Sequence, residues 1–69
     1  MAKNLNRLRV LRAERRMTQL TVARRAGVNQ SRMSFIENGL VEATVEERKR
    51  LARVFGVAVD EAFPEAATA

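Results

Sequence analysis

The chain has 69 residues but no cysteine, histidine, tryptophan or tyrosine, and a single proline. Without cysteine, no disulfide or thiolate metal site can supplement the core. Without histidine, the usual neutral-pH acid/base catalyst and the commonest metal ligand are both missing. No cluster of Asp, Glu, Lys and Arg takes their place, so the composition points away from an enzyme, a metal and any cofactor. No apolar run approaches the ~20 residues needed to cross a bilayer. Met1-Ala-Lys-Asn lacks the apolar stretch of a signal peptide. The expectation is a soluble cytoplasmic protein without a membrane partner. Internal repeats, low-complexity segments and strand-like alternation are absent as well.

What remains is largely charge and short apolar periodicities. With 46% apolar and 30% charged residues the chain reads as globular. The net charge of +5 is unevenly placed. Residues 1–32 hold nine Lys or Arg against Glu14 alone, whereas residues 33–69 hold four bases against seven acids. A strongly basic half points to a polyanionic partner, most simply nucleic acid.

Apolar residues recur every three or four positions, which predicts an all-helical domain over residues 1–65 and a flexible tail over 66–69. A first helix is expected from Asn4 to Arg15, with Leu5, Leu8, Leu11 and Arg12 on one face. Met17 follows as a core plug. Thr18 is a good N-cap for a second helix, whose inner face of Val22, Ala23 and Ala26 is narrow. Gly27 ends it where a left-handed residue is required. Val28 is expected to be a buried hinge. Asn29 caps a third helix over about 30–38, with Met33 and Ile36 facing inward and Gln30, Ser31, Ser34 and Phe35 outward, and Gly39 ends it. Thr44-Val-Glu-Glu is a capping box for a fourth helix with Val45, Leu51, Ala52 and Phe55 on its apolar face. Gly56 closes that helix, and Val57, Val59, Ala62 and Phe63 suggest one last turn before Pro64.

Two short helices joined by a Gly-containing turn, the first with small inner residues, form the pattern that lets the second cross closely and steeply. In such a unit the N-terminal side chains of the second helix reach base edges in the major groove. Gln30 and Ser31 stand there, and glutamine can bond adenine bidentately. Thr18-Gln19 opening the helix, Ala23 inside it, Gly27-Val28 at the turn, Asn29, Met33 and Glu37-Asn38-Gly39 together resemble the XRE-type (phage Cro/repressor-like) helix-turn-helix family. The resemblance extends from about Leu5 to Phe63.

That resemblance implies a five-helix bundle of the lambda-repressor-like DNA-binding kind. It assigns Gln30, Ser31 and Ser34 to base reading; Arg32 is itself expected to point outward near the groove and to contact phosphate or base. The resemblance places Gln19, Thr18, Asn29 and Asn38 at the DNA backbone, with Gln19 also able to buttress Gln30. It pairs Arg12 with Glu37 as a structural tie between the first and third helices. Three positions depart from the family pattern. Leu20 and Arg48 replace residues usually polar and apolar respectively. Phe35 stands where a polar reader is common, and could meet thymine methyls, a neighbouring side chain or a dimer partner.

The expected function is a transcriptional regulator of repressor or controller type binding double-stranded DNA, as a homodimer on an inverted repeat, with no small-molecule ligand and with nucleoid association when bound. The dimer surface is expected around Val57, Val59 and Phe63, although the sequence leaves open whether these face core or partner. The alternative is a protein-interaction or antitoxin-like module using the same fold.

Overall fold

Three of the five helix starts among the described residues are set by N-cap side chains that supply missing backbone partners. The computed structural model describes residues 6–64 and runs α1 Leu8–Glu14, α2 Gln19–Ala26, α3 Gln30–Glu37, α4 Val45–Phe55 and α5 Val59–Ala62, with no strand among the described residues. Thr18 Oγ1 accepts from the Thr21 amide at 3.1 Å, and Asn29 Oδ1 from the Arg32 amide at 2.8 Å. Thr44 and Glu47 form the full reciprocal capping box: Thr44 Oγ1 accepts from the Glu47 amide at 3.0 Å and Glu47 Oε1 from the Thr44 amide at 2.8 Å. These caps satisfy backbone donors that a helix start otherwise leaves orphaned.

The first helix starts later than periodicity suggested. Asn6 Oδ1 accepts from the Leu8 amide at 3.1 Å, and the Arg7 amide donates to the Ala62 carbonyl at 2.9 Å. The chain is thereby tied to α5 before α1 begins, so the helical pattern cannot extend back through this point. The expected core position Leu5 and the tail 66–69 lie outside the described residues. Between α1 and α2, Arg16 takes a left-handed φ of 53°, a sharp reversal with no glycine to announce it.

The core gathers Leu8, Leu11, Val22, Ala23, Ala26, Met33, Ile36, Ala43, Leu51, Ala52, Phe55, Ala62 and Phe63. The small inner face of α2 lets both α3 and α4 pack directly against it. Gly27, at φ 74°, turns the chain from α2 to α3, while the Val28 amide closes back on the Ala23 carbonyl at 2.9 Å. Val28 packs against the core half-buried rather than fully enclosed.

Two apolar expectations change. Val45 is 58% exposed, because the first residue of α4 projects beyond the core that Leu51, Ala52 and Phe55 fill. Phe63 is a core residue, while Val57 and Val59 pack half-buried against the same core. Arg48 is half-buried and donates from Nη1 to the Ala43 carbonyl at 2.6 Å, so its stem lies over the loop leading into α4.

Candidate nucleic-acid interface

Glu37 organises the α2–α3 unit from beneath. Its side chain is almost fully enclosed, at 1% exposure. Arg12 approaches it with both arms of its fork, Nε to Oε2 at 2.6 Å and Nη2 to Oε1 at 3.0 Å. Gln19 Nε2 donates to Oε1 at 2.8 Å from the first turn of α2. Arg12 Nη1 also donates to the Met17 carbonyl at 3.0 Å, which closes the α1–α2 turn. One carboxylate therefore fixes α1, the start of α2 and the end of α3 relative to each other. Burial alone would raise the Glu37 pKa, but the hydrogen bonds from Arg12 and Gln19, with the charges of Arg12 and Arg9, hold it below the ordinary carboxylate value. The hydrogen bond to Glu37 raises the Arg12 pKa in turn.

A second fork holds the other side of α3. Arg32 Nε donates to Glu47 Oε2 at 2.8 Å and Nη2 to Oε1 at 2.9 Å, with a further Nη2 contact to the Glu42 carbonyl at 3.4 Å. The hydrogen bond from Arg32 leads the effects that lower the Glu47 carboxyl to about 2, with the Thr44 backbone amide and the Arg32 charge adding to it against burial. The α4 capping box and the flank of α3 thus share one acid.

The other sequence-predicted residues fall into two groups. Gln30 and Ser31 are exposed in the first turn of α3, and Ser34 is half-buried one turn later. Phe35 stands out at 48% exposure. Thr18 and Asn29 are occupied as N-caps, and Thr18 also donates from its hydroxyl to Thr21 Oγ1 at 3.0 Å. Gln19 is turned to Glu37. Asn38 Oδ1 accepts from Arg9 Nη2 at 2.8 Å, and its Nδ2 reaches Ser34 Oγ at 3.4 Å.

Arg9 is the member that sequence reasoning missed. It lies on the exposed side of α1, yet Arg9 Nε comes within 3.8 Å of Glu37 Oε1 as well. Its three-residue offset from Arg12 was the available signal, since i and i+3 side chains share a helix flank.

Every buried side-chain nitrogen and oxygen among the described residues has a hydrogen-bond partner. Among the same residues no group of acids could hold a metal ion, and no helix is long and apolar enough to cross a membrane. The site offers a short helix with polar side chains at its leading end, clamped on both flanks. No curated protein matches the chain. The helix-turn-helix domain family matches residues 6–63, a span that holds all five helices and both clamps. With that match and the geometry of α2, the Gly27 turn and α3, the chain belongs to the helix-turn-helix domain family, in the XRE-like group that its sequence resembles.

Proposed function

We propose that this protein is a sequence-specific double-stranded DNA-binding transcriptional regulator of repressor or controller type, acting in the cytoplasm as a homodimer on an inverted repeat. The carrying observation is the exposure of Gln30 and Ser31 at the leading end of a helix whose angle is fixed by Glu37. Base discrimination needs side chains held to within a fraction of an ångström, and a helix clamped to its neighbours supplies that more accurately than a loop. Gln30, Ser31 and Ser34 read base edges, and Phe35 adds apolar contact to thymine methyls. Arg9 and Asn38 together present a donor surface to the phosphate backbone, with the first turn of α2 around Thr18 and Gln19 approaching the opposite strand. Asn29 serves as cap and approaches the backbone at the turn. Arg32 anchors α3 to α4 rather than reading.

Twofold repetition suits so small a reader, because it doubles the few base contacts one copy can make. The test is binding of the purified protein to duplex fragments from its own upstream region at two salt concentrations, with Gln30→Ala alongside. Loss of sequence preference with salt-dependent binding retained supports base reading by Gln30. Absence of duplex binding by the unaltered protein overturns the proposal.

A further inference from the structure

Away from the reading residues, four arginines converge on one surface groove. Arg24 and Arg25 from the last turn of α2 and Arg50 and Arg53 from α4 line it, over a floor of Gly27 and the half-buried Val54 with the core residue Ala26 beneath. Arg50 reaches across the turn: a Cβ added at Gly27 would lie 3.8 Å from its Nη1. Its acidic contact is the exposed Glu46 at 3.7 Å, and among the described residues Arg24, Arg25 and Arg53 form no ion pair. Helix dipoles favour a basic residue in a last turn. They do not account for four guanidinium groups from two helices gathered around an apolar floor.

The contrast with the reading unit is informative. There two arginines are already committed, Arg12 to Glu37 and Arg32 to Glu47. The groove gathers four others. Its lining residues, from α2, the Gly27 turn and α4, include none of Gln30, Ser31 and Ser34.

We infer that this groove docks an acidic segment of a partner protein, one in which carboxylates flank an aliphatic residue. Guanidinium groups pair with carboxylates through two parallel hydrogen bonds. The aliphatic residue covers the half-buried Val54 beside the exposed Gly27 backbone, for which a sugar–phosphate strand has no complement. Such a contact would let the protein hold DNA and a second protein together, so that regulation is not limited to occlusion of the site.

The test uses the full chain and a fluorescently labelled synthetic peptide of glutamates flanking a pair of leucines, read by anisotropy at low and moderate salt. A matched peptide with serine for leucine and a labelled DNA duplex are run in parallel. The double variants Arg50→Gln/Arg53→Gln and Arg24→Gln/Arg25→Gln are compared with the unaltered chain, each checked for an unchanged helical spectrum and melting. The expected result is that each double variant weakens the leucine peptide about fivefold to tenfold, the scale of two lost ion pairs. The serine peptide should bind more weakly than the leucine peptide, and duplex binding should move less than twofold with Arg50→Gln/Arg53→Gln. Equal weakening of duplex and peptide by that variant would reassign the groove to the phosphate backbone and overturn the inference. Peptide binding that is absent, or indifferent to both variants, overturns it as well. Failure of the unaltered chain to bind duplex while it still binds peptide would sink the DNA reading and leave this one standing.

Discussion

Arg12 and Glu37, 25 residues apart in sequence, meet in a two-armed ion pair of 2.6 and 3.0 Å whose acid is almost wholly enclosed. A buried pair of this kind is weak grounds for net stability over an apolar replacement. Removing one partner is another matter, because the remaining charge is left without compensation. Glu37→Ala strands Arg12 and the Gln19 amide together. We expect a loss of about 2–3 kcal/mol, below the fully buried range because Arg12 keeps some solvent contact. Exposed Glu61→Ala should stay within about 0.5 kcal/mol. Thermal melting of the two variants checks this, and equal midpoints would contradict it.

Acid should weaken the fold through the same clamps. The Glu47 carboxyl is lowered to about 2 and that of Glu37 is lowered as well. A group whose folded pKa lies below its unfolded value near ~4.3 stabilises above that value and loses its contribution as pH falls through the folded pKa. The melting temperature should hold from pH 7 to about 5 and decline between about 5 and 2. In Glu47→Gln the decline should be shallower, since one titrating group is gone. A parallel decline in the variant would exclude Glu47 as a source.

The Arg32 fork separates an anchoring role from a reading one. Arg32→Met removes both donors to Glu47 and leaves the Thr44–Glu47 capping box in place. The variant should melt lower, yet rank a panel of single-base operator variants as the unaltered protein does. Glu47→Gln should free the Arg32 guanidinium and raise salt-dependent affinity for duplexes of any sequence. A changed ranking in Arg32→Met would restore Arg32 to the base readers.

Much of this site is written in the sequence, and the reasons it is legible are local. Thr18, Asn29 and Thr44 announce helix starts because their short side chains bond amides two or three residues on, and Gly27 announces a turn because few residues tolerate its φ of 74°. What sequence alone does not show is which partner a long side chain chooses. Arg32 carries one charge whether it meets phosphate or Glu47, and only the approach of α4 to α3 places the carboxylate there. Val45 and Phe63 are equally apolar, and distance from the shared core, not periodicity, leaves one exposed and the other enclosed. The left-handed turn at Arg16 carries no residue signal at all.

Gly27 and Gly56 provide a controlled comparison. Both are left-handed at helix ends, with φ of 74° and 71°, and a Cβ would meet only ordinary contact at the first and nothing within 4 Å at the second. Alanine should therefore cost about 1 kcal/mol at each, set by the backbone and not by crowding. Their consequences for binding should differ, because the Gly27 turn orients α3 and Gly56 does not. Gly27→Ala should weaken specific duplex binding beyond its effect on melting, whereas Gly56→Ala should not. Equal binding by the two variants would mean that α3 is held by its clamps alone.

Phe35 tests whether the exposed side of α3 is built for a partner. At 48% exposure it contributes little to the core, so Phe35→Ser should lower stability by at most about 1 kcal/mol. If the ring covers thymine methyls, the variant should lose preference for thymine at one operator position and keep its salt dependence. If the ring instead belongs to a contact between copies, affinity should fall at every sequence and the variant should sediment as a smaller species. Footprinting on thymine-to-uracil duplexes, which delete the methyl without altering pairing, decides between these outcomes. A protein insensitive to both the methyl and the ring at Phe35 would place that residue outside the DNA interface.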